Sequence, residues 1–346
     1  MKGGTLMNVT VLGSGTWGTA LAIVLNTAGH SVTVLSSSAE KAAALSAARV
    51  HPDLPDVRIP EVVRFTGDPA EAVPDAEILL VTVASPYLRS VMTRCLPYIK
   101  EGQIIACGTK GLEKDTLMTM TEVIGEITEH RYPTVALSGP THAEEVVLGM
   151  PTLIISAGED LQAASVIQQL FAGTCIRPYT SADVRGVELC GALKNIIALA
   201  CGIAAGLGLG DNTRAAIMTR GIYEIARVGR ALGCSERTFA GLAGIGDLIV
   251  TATSMHSRNN RAGILIGQGV APEEAVRRIG MAVEGINALP AAILLAEQHD
   301  VEIPIISAVR DIISGHKEPK EVVQELLNRS LKPENPALRY EKDLLH

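Results

Sequence analysis

Val9-Thr10-Val11-Leu12-Gly13-Ser14-Gly15-Thr16-Trp17-Gly18, running on into Thr19-Ala20-Leu21-Ala22-Ile23-Val24-Leu25, is the stretch on which the fold turns. Its first four residues include two β-branched valines, as a short buried strand would, and its last seven place apolar residues at helical spacing. Between them stands G-x-G-x-x-G. Strand, turn and helix therefore follow in the order a dinucleotide site requires. The glycines allow a tight bend and close backbone approach, and the helix N-terminus offers free N–H groups to a pyrophosphate. A plain βα turn is the competing reading of the same glycines. Taken as a dinucleotide turn, the stretch makes Gly13, Ser14, Gly15, Thr16, Trp17 and Gly18 candidate cofactor contacts.

Downstream, residues 31–35 read as a second strand and Ser36-Ser37-Ser38 as its exit turn. An NAD-specific protein places an acid here on the ribose 2′-hydroxyl. The first acid is Glu40, in the next predicted helix, and no arginine stands by to clamp a 2′-phosphate. Ser37 is the candidate contact at this place, and the preference between NAD and NADP stays open. Prolines punctuate residues 52–60, and 61–66 alternate like a strand. Residues 77–83 form a continuous apolar run suited to a central parallel strand. It ends in Ala84-Ser85-Pro86, and a helix is expected over 87–98. Further strands are expected at 103–107, 134–137, 152–156 and 175–178.

Strands alternating with helices predict an α/β fold with an N-terminal, doubly wound, Rossmann-type parallel sheet. From Asp183 onward long helical patterns dominate. This divides the chain into a dinucleotide-binding domain, residues 1–182, and an all-helical substrate-binding and catalytic domain, residues 183–346. The polar end, residues 332–346, with two prolines, is expected to be loosely held.

The 346 residues suit two domains of ordinary size, and 47% are apolar although only 3% are aromatic, so the core must be aliphatic. A net charge of −7 argues against a nucleic-acid partner and requires any anionic small molecule to be held by a local cationic pocket. Six cysteines without a C-x-x-C pair read as reduced core residues of a cytoplasmic protein, and eight histidines show no metal-ligand spacing to them. Residues 1–6 are too short and polar for a signal peptide, and the weakly polar stretch 196–209 falls short of a bilayer span. Self-association as a homodimer is compatible with such a chain.

Lys194 follows Cys190-Gly191-Ala192-Leu193 and precedes Asn195-Ile196-Ile197. On a helix it projects from a small apolar face with no local acid, where desolvation lowers an ammonium pKa toward values useful for proton transfer. The bland alternative is a lysine whose head snorkels to solvent. Lys110, between Gly108 and Gly111, follows a strand on the ligand-facing edge, or is a solvated loop lysine. Asp247 is an acid in a glycine-dense apolar segment, or a helix N-cap. Ser257-Arg258-Asn259-Asn260-Arg261 gathers two cations and three polar side chains in an acidic chain. That composition suits a phosphate, with Arg258 offering a planar fork of donors, or else a solvated helix start.

With these residues in view, the sequence resembles the bacterial NAD(P)-dependent glycerol-3-phosphate dehydrogenases. Gly13 to Gly18, Thr109-Lys110-Gly111-Leu112-Glu113, Ser138-Gly139-Pro140-Thr141, Ala192-Leu193-Lys194-Asn195, Gly208-Leu209-Gly210-Asp211-Asn212, Gly246-Asp247-Leu248 and Ser257-Arg258-Asn259 stand in the family's order and approximate spacing, from about residue 8 to 328. The resemblance implies a dehydrogenase interconverting dihydroxyacetone phosphate and sn-glycerol 3-phosphate for phospholipid synthesis, with NAD or NADP as cofactor. It makes Lys194 the proton donor or acceptor, Lys110 a contact to substrate and cofactor, and Asp247 the group that orients the lysine. It gives substrate phosphate to Ser257, Arg258 and Asn259, and places Gly139, Thr141 and Thr251 on the substrate side. It assigns dinucleotide contacts to Thr16, Trp17, Ala143, Arg258, Ala282 and Glu284. Two departures bear on the cofactor: Leu35 and Ser37 stand where the family commonly has Trp and Arg or His, and Ala282 replaces the usual valine. A related two-domain 3-hydroxyacid or ketopantoate reductase would also use a helical-domain lysine but would not need the Ser257-Arg258-Asn259 clamp. A non-catalytic dinucleotide sensor would keep the glycine turn and could dispense with Lys194 or Asp247.

Overall fold

A computed structural model of the chain describes residues 5–331 and Glu334. Apart from Glu334, the polar end beyond residue 331 lies outside the described residues, as do residues 1–4. The strands are β1 (Asn8–Leu12), β2 (Ser31–Leu35), β3 (Val50–His51), β4 (Leu54–Arg58), β5 (Arg64–Thr66), β6 (Ile78–Val81), β7 (Ile104–Cys107), β8 (Thr134–Ser138), β9 (Thr152–Gly158) and β10 (Ile176–Ser181). Eight of them form one sheet in the order β10-β9-β8-β7-β6-β1-β2-β5. From β5 to β8 all neighbours are parallel. β9 pairs antiparallel with β8, and β10 parallel with β9, so the last two strands run against the rest. The link from β8 to β9 carries only the five-residue helix Ala143–Val147, too little for a full crossover, and the chain doubles back.

The sheet is buried on both faces, which is why its central strands are continuous apolar runs. Val9, Val11, Val34, Ile78 and Leu80 pack with helices Thr16–Thr27 and Leu161–Leu170 on one face. Leu12, Leu79, Val81, Ile105 and Cys107 pack with Ser85–Cys95 and Met120–Ile127 on the other. Because β2 and β6 flank β1 on opposite sides, the strand order switches direction at β1, and the crevice outside the carboxyl ends of β1 and β6 is where such sheets bind ligands.

Three local expectations are corrected. Residues 52–60 do not merely interrupt the chain: with residues 50–51 they form the antiparallel hairpin β3–β4, whose buried Leu54 packs on Ala20 and Ala143 beside the glycine turn. The alternating stretch 61–66 contributes only Arg64–Thr66 to the sheet. The helix expected over 87–98 begins earlier, at Ser85, and runs to Cys95 before a 3-10 turn.

Beyond β10, Asp183 caps the 23-residue helix Val184–Gly206, its carboxylate accepting from Gly186 N at 3.1 Å. This helix starts well before the apolar stretch seen in the sequence and is long and apolar enough to cross a bilayer, a correction to that reading. It is buried by helices Asp211–Ala231, Asp247–Thr253, Arg258–Gly267 and Glu284–Gln298. A methyl group at Gly202, Gly206, Gly263 or Gly267 would run into the opposite backbone, at the carbonyls of Asn260, Ile264, Leu199 and Ile203 respectively. Helices Val184–Gly206 and Arg258–Gly267 therefore touch main chain to main chain. All six cysteines are free, four of them buried.

Candidate active site

Gly13 turns the chain out of β1 at φ +120°, and its N–H donates to Leu35 O at 3.0 Å. Thr82, just past β6, donates from Oγ1 to Gly13 O at 3.1 Å. At Gly18 a methyl group would strike the Gly13 carbonyl, so this glycine lets the helix pack on its own turn. Gly15 differs. Its φ is −78°, open to any residue, and among the described residues a methyl group there would meet no atom within 4 Å. No described residue demands glycine at this place, which opens on the cleft where a pyrophosphate would lie against the helix N-terminus. The turn fits a dinucleotide.

A cleft of about 570 Å³ runs from this turn to the helical layer. Thr16, Trp17, Ala143, Ala282 and Glu284 line it, as do Lys110, Thr141, Lys194, Asp247, Thr251, Ser257, Arg258 and Asn259. Gly13, Ser14 and Gly18 belong to the turn but not to the cleft lining, and Ser14 is buried with a hydroxyl that finds no partner among the described residues. Gly139 contributes through its carbonyl. Ser37 is exposed beyond β2 and is not part of the cleft lining. Asp53, Thr82, Ser85, His142, Asn195 and His256 also line the cleft, although none of them carried a role in the reading of the sequence. Asp53 arrives on the β3–β4 hairpin and accepts from Thr16 Oγ1 at 3.0 Å.

Lys110 and Lys194 meet at one carboxylate. Lys194 Nζ donates to Asp247 Oδ1 at 2.5 Å and to Thr251 Oγ1 at 2.6 Å, and Lys110 Nζ donates to Asp247 Oδ2 at 2.7 Å and to Gly139 O at 3.0 Å. Asp247 is 1% exposed and Lys194 4%, whereas the Lys110 side chain keeps 22% of its surface. Local sequence builds each position. Thr109 Oγ1 donates to Val83 O at 2.7 Å, tying the Lys110 loop to the neighbouring strand exit. A methyl group at Gly191, one turn before Lys194, would sit 3.4 Å from Lys110 Cγ and 3.1 Å from Ser138 Oγ, so this glycine clears the path of the Lys110 stem. Asp247 opens its helix straight after the π-helical turn Leu242–Gly246. Such turns often mark functional places. One turn on, Thr251 donates to Asp247 O at 2.6 Å while accepting from Lys194.

Burial pushes the Lys194 ammonium down to about 7, with Lys110 acting in the same sense and Asp247 opposing both. Burial alone would raise Asp247, but the two ammonium groups outweigh it and hold the carboxyl below its usual range. Glu284 is raised by burial, against the pull of Arg258.

A second polar chain ties the surrounding helices together. Asn259 Nδ2 donates to Asn195 Oδ1 at 3.0 Å, and Gly285 N donates to Asn259 Oδ1 at 2.8 Å. Ser257 Oγ accepts from Asn260 N at 3.2 Å and so caps its own helix.

A glycine turn at the sheet's switch point, facing a lysine of lowered pKa beside a shared carboxylate, defines a dinucleotide-dependent dehydrogenase with a helical second layer. The sequence matches the N-terminal profile of the NAD-dependent glycerol-3-phosphate dehydrogenases over residues 8–164 and their C-terminal profile over residues 183–324. The chain belongs to that family. It is 49% identical over 336 residues to glycerol-3-phosphate dehydrogenase (NAD(P)+) 2 of Lactobacillus delbrueckii subsp. bulgaricus, covering 95% of this chain and 99% of that one. The corresponding enzyme of Fusobacterium nucleatum is 46% identical over 331 residues, with coverage of 95% and 99%. The crystal structure of glycerol-3-phosphate dehydrogenase from Coxiella burnetii superposes with a TM-score of 0.89 at 37% identity, over 94% of this chain and 99% of that one.

Proposed function

We propose that this chain is an NAD(P)-dependent sn-glycerol-3-phosphate dehydrogenase, interconverting dihydroxyacetone phosphate and sn-glycerol 3-phosphate in the cytoplasm as a source of phospholipid backbone. The observation that carries the chemistry is the pair of ammonium groups on the buried Asp247 carboxylate in the cleft wall. Residues 1–182 hold the dinucleotide, and residues 183–346 bring the substrate and the proton. When bound, the dinucleotide supplies or accepts the hydride. Lys194 gives its proton to the ketone oxygen as negative charge develops there, and recovers it from the hydroxyl in the reverse direction. A group titrating near 7 suits both roles. Lys110 stabilises the growing oxyanion electrostatically, and Asp247 keeps the two cations together by neutralising one of them. Arg258, with Ser257 and Asn259, holds the phosphate and fixes the approach of the carbonyl carbon. Family membership favours this substrate over those of a 3-hydroxyacid or ketopantoate reductase.

The test is steady-state oxidation of NADH and of NADPH with dihydroxyacetone phosphate, repeated with Lys194→Ala. Turnover is lost in the variant while dinucleotide binding stays. Full activity in Lys194→Ala overturns the assignment of the proton to this residue.

A further inference from the structure

Resting on the dehydrogenase reading above, we propose that Arg261 is a second guanidinium of the anion site, joining Arg258 to hold the substrate's phosphate dianion. A phosphate monoester carries close to two negative charges at neutral pH. The chain's net charge of −7 gives no general attraction, so the charge must be met locally. Part of the donor capacity near the cleft is already committed. Asn259 gives one amide hydrogen to Asn195 and both lysines are bound to Asp247, while Ser257 Oγ, which accepts from Asn260 N, keeps its single hydroxyl hydrogen. Arg258 shares its field with Glu284.

Arg261 lies three residues beyond Arg258 on helix Arg258–Gly267, so both project to one face, and both line the cleft. Its Nε is buried with no hydrogen-bond partner. Two other arginines among the described residues share that property, and both have alternatives: Arg49 is ion-paired through Nε with Glu61 at 3.3 Å and donates from Nη1 to Pro60 O and Val63 O, and Arg227 lies over the Tyr223 ring. Among the described residues Arg261 has no such partner and faces the cleft. A buried guanidinium N–H costs stability until an acceptor meets it, and a phosphate oxygen presented to a planar fork is the matching acceptor.

The experiment compares wild type with Arg261→Gln and Arg261→Lys on dihydroxyacetone phosphate and on dihydroxyacetone, which lacks the phosphate. Inhibition by inorganic phosphate and calorimetric binding of NADH and NADPH are measured alongside, and melting temperatures check folding. Arg261→Gln is expected to lower the ratio of kcat/KM for the phosphorylated over the free ketone by about 10- to 100-fold. The phosphate inhibition constant rises by a similar factor, and dinucleotide affinities hold. Arg261→Lys, which keeps the charge without the fork and serves if the Gln variant does not fold, falls in between. An unchanged ratio and phosphate affinity overturn the proposal, as does a loss confined to dinucleotide binding, which would assign the side chain to the cofactor. If wild type fails to reduce dihydroxyacetone phosphate, the dehydrogenase reading falls. Calorimetric binding of inorganic phosphate to wild type and Arg261→Gln then still decides whether Arg261 holds the anion.

Discussion

Replacing Asp247 by Asn removes one negative charge with almost no change of shape and leaves two ammonium groups against a neutral amide. The carboxylate lies 2.5 Å from Lys194 Nζ and 2.7 Å from Lys110 Nζ, and it is 1% exposed, so bulk water screens little of its effect. Breaking a buried pair of this kind costs about 3 kcal/mol or more. Taken at its lower bound because two lysines share the carboxylate, that is roughly two pKa units. Lys194, held near 7 with Asp247 in place, would then titrate well below neutrality. At pH 7 its protonated fraction falls from about one half to about 1 in 100, and ketone reduction slows by roughly 50-fold through protonation alone. The assay is the pH profile of kcat/KM for reduction in wild type and Asp247→Asn, with melting temperatures measured in parallel. The descending limb should move about two units toward acid, with activity partly restored at low pH. A profile lowered throughout but with its midpoint unmoved would refute the electrostatic role and leave Asp247 a packing residue.

Other outcomes follow from the same geometry. In the unaltered protein, kcat/KM for ketone reduction should fall as pH rises through about 7, because the ammonium is the reactive form, and kcat/KM for alcohol oxidation should rise through the same range; stopped-flow or steady-state profiles in both directions check this. Gly15→Ala should leave the melting temperature within a degree or two and weaken dinucleotide binding by calorimetry, since the new methyl group meets only the cleft. Gly18→Ala should instead destabilise the fold by about 1–3 kcal/mol, seen in denaturant unfolding, because the methyl group meets the Gly13 carbonyl. Gly263→Ala should cost a similar amount by the same measurement and, by pushing the Arg258 helix away from the lysine helix, raise KM for the phosphorylated substrate.

Much of this arrangement was legible because it is local. The glycine turn, the apolar run at β6 and the lysine on an apolar helical face each carry their meaning within a dozen residues. Three features were not. β3 is two residues long and its hairpin is crossed by prolines, so no strand period could show, although Asp53 and Leu54 of that hairpin reach the glycine turn. The reversal of β9 depends on how little chain connects it to β8, a matter of path rather than pattern. The Asn195–Asn259–Gly285 chain joins residues far apart in sequence, and amide side chains announce no partner. Ser37 was singled out by its place in the turn after β2, which marks where the strand ends but does not make a residue part of the cleft lining.

Main-chain contact between helices Val184–Gly206 and Arg258–Gly267 also limits how this scaffold can diversify. With glycines at the points of closest approach, the span from Lys194 to Arg258 is a ruler engraved in backbone, and rotamer changes at those points cannot stretch it. The glycines recur every fourth residue on both helices, so the next register that still matches a glycine to a glycine is a slip of about 6 Å. A pocket for a longer or shorter phosphorylated ketone would therefore have to arise in steps of a whole helical turn, or abandon the seam altogether.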